Sequence, residues 1–132
     1  MIIGNTVQER KKSVANLVKD HLNSLGKEAE LLFNVTNSVG HKDMVVVKSD
    51  VGLIHITTTS SNDPNASLVT GGFKDNEQDF LSDKDYVCYG WVTKDKRTFL
   101  MFVEPKEIVG IDGISKQKIT SLRNRELSVV IS

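Results

Sequence analysis

Apolar residues near the start of the chain recur every three to four positions. Val7, Val14, Leu17, Val18, Leu22 and Leu25 fall on one stripe of a helix. Thr6 with Glu9 forms the sequence signature of a capping box, and Gly26 stands where a left-handed C-terminal cap belongs. The period then changes to two. Ala29, Leu31, Phe33 and Val35 alternate with Glu28, Glu30 and Asn34, as in a half-buried strand, although 28–32 also fit a continued helix.

Met44-Val45-Val46-Val47 is apolar on both faces and predicts a central strand. The short turn Lys48-Ser49-Asp50 joins it to a second strand over 51–59, an antiparallel hairpin. Residues 60–67 are a loop by composition, 68–73 a short strand broken by Gly71-Gly72, and the acidic run 74–85 is expected on the surface. A second hairpin follows, 86–92 and 98–103 around the polar turn 93–97. Glu104-Pro105-Lys106 ends the sheet, and Ile108-Val109 has the pattern of a brief pairing. A basic helix is expected near 115–125, and Leu127 to Ile131 reads as a closing strand or an interface. The expected fold class is α+β: an N-terminal helix packed on a mixed, mostly antiparallel sheet, plus a C-terminal helix and strand appendage.

A chain of 132 residues, 39% hydrophobic, has room for one domain with a core and none for a second. No apolar run approaches the ~18–20 residues that span a bilayer. The first residues lack the basic and apolar regions of a signal peptide, so a cytoplasmic setting and no membrane partner are expected. The single cysteine, Cys88, excludes an internal disulfide and a zinc site with two thiolates, and its apolar strand pattern marks it as core. The 17 basic and 17 acidic side chains cancel, but unevenly along the chain. Arg10, Lys11 and Lys12 near the start, with Lys116, Lys118, Arg123 and Arg125 near the end, bracket the acidic middle. Such ends can present a basic face to a phosphate backbone; an ordinary solvated surface is the alternative.

Several chemistries are excluded. There is no phosphate loop and no nucleophile elbow, and His21, His41 and His55 lack metal-ligand spacing. One arrangement remains. Asp43 heads the valine-rich strand, and His55 and Thr57 share one face of its hairpin partner. An acidic residue facing two polar positions across a hairpin has the layout of a magnesium-dependent phosphodiesterase site.

These residues resemble the PD-(D/E)XK nuclease superfamily, in particular its Holliday-junction-resolvase-like and small homing-endonuclease-like members. His41-Lys42-Asp43-Met44-Val45-Val46 looks like the first motif and Leu53-Ile54-His55-Ile56-Thr57 like the second. Lys84-Asp85-Tyr86-Val87 with 98–105 looks like the last hairpin. The resemblance implies a restriction-endonuclease-like core over about 4–109 and a basic appendage over about 110–132, within a single domain. It implies that Asp43 is the metal-binding aspartate and that Gln8 or Glu9 matches the helix glutamate, unless Glu9 only caps its helix. It also implies that His55 stands in place of an acidic ligand and Thr57 in place of the catalytic lysine. Lys48 and Lys74 are nearby in sequence as displaced lysines.

The catalytic signature is therefore eroded, and the expected function is binding. The partner is nucleic acid, held weakly and salt-sensitively, or a protein complex that acts on it, with no cofactor. The first alternative is an active magnesium-dependent endonuclease or junction resolvase with rearranged residues. The second is a homo-oligomeric interaction module using Leu127, Val129 and Ile131.

Overall fold

The computed structural model describes residues 2–35, 44–58, 68–69, 85–108 and 113–131. In chain order these form α1 (Val7–Ser24), β1 (Ala29–Val35), β2 (Met44–Ser49), β3 (Gly52–Thr58), β4 (Leu68–Val69), β5 (Tyr86–Val92) and β6 (Thr98–Val103). A single 3-10 turn (Pro105–Glu107), β7 (Gly113–Ile114), α2 (Lys116–Leu122) and β8 (Val129–Ile131) complete them. Six strands make one mixed sheet in the order β1-β2-β3-β5-β6-β8, and β4 pairs separately with β7. Among the described residues, the β3–β5 pairing alone in the large sheet is parallel and its neighbours are antiparallel.

Both ends of α1 form by local chemistry. The Glu9 amide donates to Thr6 Oγ1 at 3.1 Å, and the Glu9 carboxylate accepts from the Asn5 amide at 2.8 Å. At the other end Gly26 has φ 77°, and the Lys27 amide reaches back to the Leu22 carbonyl at 3.0 Å. This left-handed stop turns the chain out of the helix, and residues 29–35 form a strand.

Strand alternation divides the core between the two sides of the sheet. Val14, Ala15, Val18 and Leu22 of α1 pack with Val45, Val47, Ile54, Ile56, Cys88, Leu100 and Phe102. The other side holds Val87, Tyr89, Trp91, Phe99, Met101 and Val103 against Ile119 and Leu122 of α2. The two helices therefore lie on opposite faces. Gly90 lets α1 approach: a Cβ there would sit 2.6 Å from Val14 Cγ2.

The tail forms the closing strand, one of its two expected readings: β8 pairs with β6, Leu127 is buried, and Val129 and Ile131 pack on the α1 side. Two expectations need correction. Ile108 does not extend a strand but is buried behind the 3-10 turn, which begins where Pro105 removes a backbone donor. Asp85, expected on the surface with the acidic run, is 2% exposed. Residues 70–84 otherwise lie outside the described residues.

Cys88 is fully buried, and that burial pushes its thiol well above the ordinary range. In the native protein it is expected to resist a thiol reagent at neutral pH and to react fully in denaturant. Rapid native labelling would contradict the packing described. Among the described residues no helix is long and apolar enough to cross a membrane.

Candidate functional site

The hairpin that carries the motif-like residues forms as expected, with Val46 opposite His55 and Val47 opposite Ile54. Ile54 and Ile56 point to the α1 side, so His55 and Thr57 belong to the α2 side. The parallel pairing sets Val87 beside His55 and Tyr89 beside Thr57. Asp85, just before β5, reaches the same face. Its Oδ2 accepts a hydrogen bond from His55 Nε2 at 2.6 Å, with both side chains at most 1% exposed.

Two further polar groups line this face. Thr57 is 8% exposed. Tyr89 is fully buried, and its hydroxyl has no hydrogen-bond partner among the described residues. Burial pushes the Tyr89 phenol above its ordinary range, so it remains protonated. The ensemble is a closed polar layer inside an apolar side of the sheet: an oriented imidazole, a carboxylate, a threonine and a phenol.

Of the remaining motif positions, some lie outside the described residues and the others stand apart from this layer. Asp43, His41 and Lys42 precede the described part of β2, and Lys74 lies outside the described residues. Glu9 sits on α1, against the other face, with its carboxylate on the Asn5 amide. Lys48 pairs with Leu53, while Val46 pairs with His55 two residues along. The β2–β3 turn thus holds Lys48 away from Thr57. Among the described residues no three His, Cys, Asp or Glu groups gather to hold a metal ion. Magnesium favours oxygen ligands in an octahedron, and a buried imidazole–carboxylate pair beside a threonine does not fit it.

The basic ends do not share one face. Arg10 is buried on α1, and desolvation lowers its pKa and that of Lys11. Lys12 is half-buried on the same helix. Lys116 opens α2 on the opposite side of the sheet, with Lys118 exposed on that helix and Arg125 exposed beyond it. Arg123 caps α2 and places its guanidinium 5.6 Å above the Phe99 ring.

Sequence reasoning missed two features. The Asp85 partnership with His55 had a signal: a histidine inside an apolar strand needs a buried partner, and Asp85 directly precedes another apolar strand. The basic β5–β6 turn, with Lys94, Lys96 and Arg97 all exposed, was legible as composition but stood outside the two basic ends. Comparison with protein-family models, curated proteins and solved structures gives no match to this chain.

Proposed function

We propose that this chain is a nuclease-fold protein of the PD-(D/E)XK type that has lost cleavage and acts by binding nucleic acid. The reading rests on the fate of the second motif. Where the resemblance implies a solvent-reachable carboxylate, His55 is sealed in the sheet against Asp85. Where it implies a lysine, Thr57 supplies no cation to steady an attacking water. The helix, the three-stranded antiparallel meander and the parallel return into a hairpin are compatible with a restriction-endonuclease-like core. The oligomerisation alternative is weakened, because its three tail residues pack on the chain's own core.

The test is a cleavage time course on duplex, single-stranded and branched DNA, with magnesium and with manganese. The wild type is expected to match an Asp43→Ala control, neither forming product. Cutting by the wild type that vanishes in the control would overturn the reading in favour of an active endonuclease.

A further inference from the structure

We infer that the β5–β6 turn, together with Arg123, is the surface that grips the phosphate backbone of nucleic acid; this rests on the binding function proposed above. Lys94, Lys96 and Arg97 are all exposed within this one turn. The turn is also stiff. The Thr93 amide donates to the Arg97 carbonyl at 2.7 Å, the Arg97 amide to Thr93 Oγ1 at 3.0 Å, and the Lys96 amide to the Thr93 carbonyl at 2.9 Å. Lys96 adopts φ 64°, a bend held by these bonds. Behind it, β6 is buried along its whole length and β5 from its second residue. The cations therefore stand on a rigid stalk and lose less backbone freedom on binding than a loose loop does.

Arg123 brings a fourth cation from a distant part of the chain. Its guanidinium lies over Phe99, two residues beyond Arg97, and Phe99 packs edge-on against Trp91 at 5.1 Å. A contact with a ring face uses none of the N–H donors of a guanidinium as a hydrogen bond to an acceptor oxygen. The only acid in the turn is Asp95, which accepts a hydrogen bond from the Thr93 hydroxyl and lies 3.8 Å from Arg97 Nη1. That hydrogen bond holds the Asp95 carboxyl below its ordinary range. Asp95 braces the turn and offsets one of four positive charges.

Three other cations are less suited. Arg10 is buried, and Lys106 lies 3.2 Å from Glu104. Lys48 shares a groove with Glu28, Glu30 and Asp50. A phosphate approaching either lysine meets carboxylates as well, whereas the turn with Arg123 has a net positive charge.

Fluorescence anisotropy with a labelled duplex and a labelled single strand of mixed sequence, over a salt series, tests the assignment. Four contacts predict a slope of log K on log salt near −3 to −4 for duplex, and a shallower one for single strands. The triple variant Lys94→Gln, Lys96→Asn, Arg123→Gln is expected to flatten the duplex slope to about −1 and to weaken binding about tenfold or more in low salt. Asparagine tolerates the left-handed backbone at position 96. Should the triple variant fail to fold, Lys94→Gln alone is expected to reduce the slope by about 0.9. Lys106→Gln, an equal loss of charge elsewhere, is expected to change neither slope nor affinity. Wild-type binding with unaltered slopes in both turn variants would overturn this surface and leave the binding function standing. No wild-type binding to either probe in low salt would overturn the binding function itself.

Discussion

Replacing His55 by leucine removes a fully buried hydrogen bond to Asp85 and is expected to destabilise the fold by about 1–3 kcal/mol. Asp85→Leu is expected to cost a similar amount, since each single change leaves a buried polar group that has lost this bond. The double variant, with two apolar side chains in place of the pair, is expected to recover part of the loss. Urea denaturation of the four proteins gives the coupling directly. Strict additivity, or single losses below about 1 kcal/mol, would show that the pair does not hold β3 to the start of β5. The consequence bears on function as well as stability. A residue this important to the interior is poorly placed to change ligands during a reaction, which favours a structural role for the His55–Asp85 pair.

The parts of the fold that follow from neighbouring residues were legible. The α1 caps and the two hairpins need only a capping side chain, a glycine and short turns, and each forms where the pattern places it. The long connection from β3 to β5 is different. The direction in which β5 joins the sheet depends on a crossover that carries no local code, so the parallel pairing was not legible, and the need of a buried His55 for a partner did not by itself single out Asp85. The surface expectation for Asp85 failed for the same reason: an acidic neighbourhood describes the average residue, whereas the last one faces a buried imidazole. The single basic face also assumed that helices at the two ends of the chain lie together. In a sheet apolar on both sides either side accepts a helix, and α1 and α2 take opposite ones.

Gly90 gives the sharpest test of how α1 sits on the sheet. Its missing side chain is filled by Val14, whose two γ-carbons lie 2.6 and 2.8 Å from where a Cβ would be. Alanine at position 90 fits only if the Val14 side chain or the helix that carries it shifts, and both residues are buried. Gly90→Ala is therefore expected to destabilise by about 1–3 kcal/mol, even though alanine in a strand otherwise gains over glycine through a less disordered unfolded state. Val14→Ala alone leaves a gap and is expected to cost about 1–3 kcal/mol, at or below the range for larger aliphatic truncations. Together the two changes set the one methyl gained at position 90 into part of the space left by the two methyls lost at position 14. The double variant is expected to be more stable than the sum of the single losses predicts, by about 1–2 kcal/mol, within the range seen for touching residues. Matched denaturation curves with constant m-values decide it. A stable Gly90→Ala protein, or a double variant that is merely additive, would place α1 in a different register on the sheet.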